Sequence, residues 1–210
     1  MEPLGEVRMQ KPASTDHPVH NLIRERWSPR AFSPKSIPHH VLRSLFEAAR
    51  WAPSSNNEQP WAFIVATQED PASHTKMLST LVQANQAWAK HAPVLALAVS
   101  KLAFARDGNP NRNAFYDTGA AVAYLTTEAT ARGLFVHQMA GFDRDKAVEL
   151  FSIPSGWEPI AAFVIGYPGE PDSVLDSPLR ERELAPRSRK PLSEIVMSGG
   201  WGNPALFLNA

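Results

Sequence analysis

Two short segments hold the densest set of side chains able to grip an anion and a flat ring. They are Arg26-Trp27-Ser28-Pro29-Arg30 and Pro53-Ser54-Ser55-Asn56-Asn57-Glu58-Gln59-Pro60-Trp61. The first puts two guanidinium groups and a hydroxyl within five residues, a set of charge-assisted donors suited to phosphate. The second packs Ser54, Ser55, Asn57 and Gln59 into what reads as a tight turn, rich in small hydroxyl and amide groups. Neither segment has an obvious part in a hydrophobic core, and together they suit a phosphorylated, planar ligand. Each also has a plainer reading. Arginines near a helix C-terminus are common, and Pro, Ser and Asn are ordinary turn residues.

These segments need elements to position them. Val19–Arg26 reads as a short helix, and Pro38 opens a clearer one in which Val41, Leu42, Leu45, Phe46 and Ala49 recur at helical spacing. Trp61–Thr67 is a continuous apolar run, expected as a strand buried on both faces. Pro71–Lys90 reads as one helix, Pro93–Ser100 as a second strand, and Arg106–Asn113 as an exposed loop. An Ala-rich helix is expected over Ala114–Arg132, stopped by Gly133 and followed by a strand at Leu134–Gln138. Asp143 can cap a helix over Arg144–Phe151, and Pro159–Tyr167 is the fourth strand.

Beyond Gly166 the composition shifts to Pro, Ser, Arg and Glu, yet the tail still carries Leu192, Ile195, Val196, Trp201, Leu206 and Phe207. Apolar residues on such an arm need a surface to cover them. The pattern therefore predicts a layered α/β or α+β domain whose C-terminal arm folds back or embraces a second subunit.

Composition narrows the chemistry. At 210 residues the chain fits one domain. We divide it into a flexible leader (1–17), a single ligand-binding domain including the arm (18–197) and a tail (198–210). Acidic and basic residues balance at 21 each, so nucleic acid and anionic membrane are not expected partners. The absence of cysteine excludes disulfides, thiolate metal sites and cysteine nucleophiles. His39-His40 has no acidic or thiol partners nearby in sequence, and no metal set is expected. Dinucleotide, P-loop and Gly-x-Ser-x-Gly signatures are missing. With no apolar leader and no membrane-length run, the expected location is cytoplasmic.

Taken together, the two motifs resemble the nitroreductase family of FMN-dependent oxidoreductases. Members carry Arg-x-Ser-x-Arg near the N-terminus and Pro-Ser-Ser-x-Asn-x-Gln-Pro-Trp about one helix later. The resemblance extends from Leu22 to Val196 through Asn85 ahead of Trp88 and Pro93, the Gly133–Asp143 stretch, and Arg187-Ser188-Arg189-Lys190-Pro191-Leu192. It implies a nitroreductase-like α+β fold with a mixed central sheet flanked by helices. It also implies a homodimer in which the C-terminal arm extends onto the partner subunit, with FMN sites at the interface.

Residue by residue, the resemblance assigns Arg26, Trp27, Ser28 and Arg30 to the cofactor. Arg26 and Ser28 fall at the ribityl phosphate, and Arg30 nearer the pyrimidine edge of the ring. Pro53, Ser54, Ser55 and Asn57 would reach the FMN held mainly by the other subunit, with Gln59 supporting the loop. Asn85 would bond the pyrimidine ring, although a solvated helix face also explains it. The backbone of Gln138, Met139, Ala140 and Gly141 would run beside the flavin, with an N–H near Ala140 or Gly141 facing N5. Some relatives have Glu where Ala140 stands, so a role for that carboxylate is absent here. Arg187 and Arg189 become phosphate ligands with Ser188 between them, where the plain reading is solvated tail arginines. His137 reads better as a satisfied core histidine than as a catalyst.

No side-chain general base is required of such chemistry, because the cofactor makes and breaks the bonds. The implied activity is ping-pong hydride transfer from NADH or NADPH through FMN to a small, planar, electron-poor acceptor such as a nitroaromatic or quinone. A dehalogenase, enoate-type reductase or dehydrogenase on the same scaffold remains open, as does a flavin-binding protein without turnover.

Overall fold

Val94–Lys101 (β2) is apolar at almost every position, and in the computed structural model, which describes residues 11–209, it lies inside a four-stranded sheet. The strand order is β1-β2-β4-β3, with β1 at Trp61–Thr67, β3 at Phe135–Met139 and β4 at Trp157–Gly166. Alternate β2 residues face two cores. Leu95, Leu97 and Val99 pack with Met77, Trp88, Met139 and Val164 on one side. Val94, Ala96 and Ala98 pack with Leu45, Ala121, Leu125 and Phe163 on the other. Small alanines at that second face let helices approach the sheet closely.

Helices cover both faces. α2 (His39–Arg50), entered from Pro38, buries Leu45 and Ala49. It packs with α5 (Ala114–Ala131), which buries Ala121, Val122, Leu125 and Ala129. α5 ends where Gly133 takes a φ of +71°, a left-handed geometry that glycine adopts without a Cβ penalty. The opposite face carries α3 (Pro71–Leu78), α4 (Gln83–Ala89) and α6 (Arg144–Phe151), the last capped by Asp143 accepting from Lys146 N–H at 2.9 Å. Among the described residues no helix is long and apolar enough to cross a membrane.

The α+β class and the nitroreductase-like layering agree with the sequence reading, but three details are corrected. First, the described strands do not form a mixed sheet: every pairing is antiparallel. Strands β2 and β3 do run parallel and are joined by the single helix α5, yet β4 is inserted between them and opposes both. Second, β1 is an edge strand, and Val65 is 38% exposed, so the apolar run is not buried on both faces. The strands buried on both faces are β2 and, over Ala162–Ile165, β4. Third, the expected long helix over Pro71–Lys90 breaks at Ser79–Val82, where Leu81 bridges to Phe142.

The segment after Gly166, for which the sequence left both folding back and reaching a second subunit open, has helices α7 (Pro171–Val174) and α8 (Ser177–Leu184) that fold back on the chain. The return is made by Phe32 bridging Pro168, with Ser33 N–H donating to Tyr167 and Gly169 N–H to Ala31. A Cβ on Gly169 would stand 2.6 Å from the Phe32 carbonyl carbon, so only glycine fits this approach. Farther on, Ile195, Trp201, Leu206 and Phe207 remain exposed, Trp201 at 95%. The leader's first ten residues and the tail's Ala210 lie outside the described residues.

Candidate functional site

α1 (Asn21–Glu25) ends at Arg26, and the chain then runs over the outer strand β3. The Trp27 ring is buried and meets Phe135 edge-on at 6.0 Å between centroids. His137, also on β3, donates from Nδ1 to the Pro29 carbonyl at 2.7 Å and lies 4.6 Å from the Trp88 ring. Burial, helped by the nearby Arg30 charge and opposed by the Pro29 and Ser28 backbone contacts, holds its pKa down at about 4. His137 is therefore a neutral, satisfied spacer that fixes the height of the Arg26–Arg30 segment above the sheet.

The other support is Glu183 of α8. Its carboxylate is 1% exposed and accepts from Arg30 N–H at 2.8 and 3.0 Å and from Ala31 N–H at 3.0 Å. Arg30 Nη1 stands 3.9 Å away. A buried carboxylate satisfied by backbone donors is a strong clamp, and here it locks the first motif to the C-terminal region.

Beside this clamp opens a polar cavity of about 310 Å³. It is lined by Lys11, Arg26, Ser28, Arg30, Arg182, Arg187 and Arg189, with Glu183, Trp27, Pro186 and Ser188. Six cationic side chains thus face one carboxylate already committed to backbone N–H groups. Burial lowers the Arg26 pKa first, and the neighbouring Arg187 and Arg189 charges add to the effect. Arg187 is lowered by burial and by Arg189. Mutual repulsion on this scale favours an anion in the space between.

Within the cavity Arg26 Nη1 donates to Ser28 Oγ at 3.3 Å, orienting hydroxyl and guanidinium together. Arg187 donates to the Lys11 and Arg24 carbonyls at 2.8 and 3.1 Å, and Arg189 to Ser188 O at 2.7 Å. The sequence-derived set Arg26, Trp27, Ser28, Arg30, Arg187 and Arg189 is therefore brought to one place.

Along the same face, Asn85 and the turn after β3 also meet. Asn85 Nδ2 donates to Gly141 O at 3.0 Å, and Val82 N–H donates to the same carbonyl at 3.1 Å. A Cβ on Gly141 would lie 2.8 Å from Asn85 Nδ2, so glycine is needed for this contact. Gln138 and Ala140 are exposed while Met139 is buried.

Pro53, Ser54, Ser55 and Asn57 lie elsewhere. Their loop enters edge strand β1, and Ser55 N–H donates to the buried Asp117 carboxylate of α5 at 3.0 Å. The cavity belongs to the β3 edge and the opposite face of the sheet. Three inter-strand steps separate the edges, roughly 14 Å by strand spacing alone. One chain does not bring the two motifs together. The loop is also held in an unusual form: Asn56, Asn57 and Gln59 have φ of 53°, 55° and 51°. Ser54 Oγ accepts from Gln59 N–H at 3.0 Å and Glu58 Oε1 from Ala105 N–H at 2.6 Å, which fix that geometry.

Glu183, Asp117, Lys11 and Arg182 were not found from sequence. Glu183 and Arg182 sit in the charged run Arg180-Glu181-Arg182-Glu183, where nothing marks one carboxylate for burial. Asp117 is a lone acid in the first turn of α5, indistinguishable in sequence from a residue placed there for the helix dipole.

Comparison with known proteins gives one consistent answer. The model of the nitroreductase family matches residues 23–167. An uncharacterized 15.4 kDa protein from Mycolicibacterium smegmatis is 37% identical over 142 residues, covering 66% of this chain and 92% of its own. An NADH dehydrogenase from Thermus thermophilus is 28% identical over 204 residues, covering 82% of this chain and 92% of its own. The crystal structure of an oxidoreductase containing FMN superimposes with a TM-score of 0.85 at 34% identity, covering 90% of this chain and 96% of that one.

Proposed function

Because the chain belongs to the nitroreductase family, we propose that it is an FMN-dependent oxidoreductase taking hydride from NADH or NADPH and delivering electrons to a small, planar, electron-poor acceptor such as a nitroaromatic or quinone. The observation that carries this reading is the cavity in which Arg26, Ser28, Arg30, Arg187 and Arg189 gather around one committed carboxylate. The residues fit the group: a phosphomonoester dianion is what an excess of clustered, partly buried guanidinium charge calls for.

When bound, the flavin supplies the redox chemistry, accepting hydride and passing electrons on, so that two half-reactions use one site in turn. The chain's part is binding and orientation. Arg26, Arg187 and Arg189 would neutralise the phosphate, and Ser28 would add a hydroxyl donor. Glu183 and His137 hold the Arg26–Arg30 backbone in position from two sides. Arg30 would place positive charge toward the ring, where electron uptake concentrates negative charge. Asn85 and Val82 fix the Gly141 carbonyl, and with it the Gln138–Gly141 backbone that would border the ring.

The working unit is a homodimer on this reading. Two features support it: the Pro53–Asn57 loop and the cationic cavity occupy opposite edges of one sheet, and the arm leaves Ile195, Trp201, Leu206 and Phe207 exposed. A second copy answers both, supplying the loop to the site and a surface to the arm. We expect the enzyme in the cytoplasm.

The test is an anaerobic visible spectrum of purified protein incubated with FMN and desalted, then mixed with NADH and NADPH in turn. The expected result is a retained flavin band bleached by at least one nucleotide and restored by a nitroaromatic or quinone. A retained band that neither nucleotide bleaches would refute the NAD(P)H reaction in favour of a flavin-binding protein or another donor. A protein that retains no flavin would refute the assignment itself.

A further inference from the structure

We infer that Lys11, from the segment ahead of the family-matched region, is a further ligand for the cofactor's phosphate. The inference rests on the FMN reading above and concerns a residue outside the matched span of 23–167. Lys11 lines the same cavity as Arg26, Arg187 and Arg189. Its ammonium donates to the Glu183 backbone carbonyl at 2.5 Å and stands 5.2 Å from the centre of the Trp27 ring. One of three ammonium protons is thereby used, and the group is anchored at the cavity wall.

The backbone is anchored as well. Arg187 donates to the Lys11 carbonyl at 2.8 Å, and Ala13 N–H donates to Arg24 O at 2.7 Å. A phosphate-lining arginine thus holds the very segment that carries Lys11. Burial, Arg187 and Arg30 all lower the Lys11 pKa, against the opposing Glu183 charge. A cation drawn into a crowded cationic cavity, whose one nearby carboxylate is already committed to backbone N–H groups, gains most when an anion occupies the space. The π-face and the carbonyl orient it, and the phosphate supplies the counter-charge.

Phosphate recognition is separated from ring recognition by comparing FMN with riboflavin, which has the same ring and no phosphate. Equilibrium quenching of flavin fluorescence gives both dissociation constants for the full-length protein and for Lys11→Met, Lys11→Arg and Arg26→Ala. Methionine keeps an apolar stem over Trp27 and removes the charge. Wild type is expected to prefer FMN strongly. Lys11→Met should weaken FMN on the order of 10-fold or more, the scale of one charge-assisted hydrogen bond, with riboflavin affinity unchanged and arginine restoring most of the loss. Lys11→Met that keeps the wild-type ratio while Arg26→Ala collapses it would overturn the inference and leave the FMN reading intact. So would an equal loss for both flavins, which would make Lys11 a packing residue. A wild-type protein that does not distinguish FMN from riboflavin would overturn the FMN-phosphate reading and the Lys11 inference together.

Discussion

Replacing Glu183 with alanine tests whether α8 is a structural clamp for the cationic site. The carboxylate is 1% exposed and satisfies the N–H groups of Arg30 and Ala31 through contacts of 2.8, 3.0 and 3.0 Å. Truncation leaves two backbone donors without their partner, and each such donor costs about 1–3 kcal/mol when buried. Water entering from the adjacent 310 Å³ cavity can recover part of this, so we expect a net loss of about 3 kcal/mol. For a chain of this size that corresponds to a fall in Tm of roughly 6–12 °C. Urea unfolding followed by tryptophan fluorescence, at fixed protein concentration and without flavin, measures it. Glu183→Gln keeps one carbonyl acceptor and should lose about half as much. A loss below about 0.5 kcal/mol for the alanine variant would show that α8 only covers the site, and the claim that it positions the Arg26–Arg30 segment would be wrong.

Three further expectations follow from the same contacts. Arg26→Ala should weaken FMN binding by about 2 kcal/mol, the loss of a charge-assisted contact, with riboflavin unaffected; unchanged FMN affinity would remove Arg26 from the phosphate site. His137 has its pKa lowered to about 4 from 6.5, so the unfolded chain binds more protons between those values. Its contribution is complete above pH 6.5 and is lost as pH falls through 4, up to about 3 kcal/mol; urea titrations at pH 7.5, 5.5 and 4 should lose this slope in His137→Gln, and an unchanged slope would reject it. Gln59, at a φ of 51°, carries a left-handed penalty that glycine avoids, so Gln59→Gly should be neutral or stabilising by about 0.5 kcal/mol. A clear destabilisation would mean that the Gln59 Nε2 contact to Asn57 O at 3.1 Å holds the loop.

The sequence made visible what depends on short-range chemistry. Helix α6 is read to the residue because Asp143 caps it, and α5 to within one residue because Gly133 ends it. The cavity's arginines were legible because Arg26, Ser28 and Arg30 form a compact motif. What depended on distant partners was not. The same apolar signature describes β1 and β2, and only their neighbours make one an edge and the other a centre. Leu81 pairing with Phe142 breaks the helix expected over Pro71–Lys90, a contact across 61 positions that no local pattern encodes. Glu183 is buried only because Phe32 and Gly169 bring the chain back against the first motif.

The order of the strands also bears on why the motifs lie apart. β2, α5 and β3 make a crossover whose two strands run parallel, and β4 fills the gap between them. That insertion leaves β3 at an edge, and the Arg26–Arg30 segment lies over the face of β3 that carries Phe135 and His137. β1 occupies the other edge and takes the strained Ser54–Gln59 loop with it. The loop is fixed by Asp117, Ser54 and Glu58 more firmly than the start of an edge strand requires. Strain so thoroughly held is what a preorganised binding surface needs. In a monomer it would face away from the charge that could use it. In the proposed dimer, pairing two such sheets would let each edge complete the site of the other, and the half-reactions would fall on a surface that neither chain forms alone.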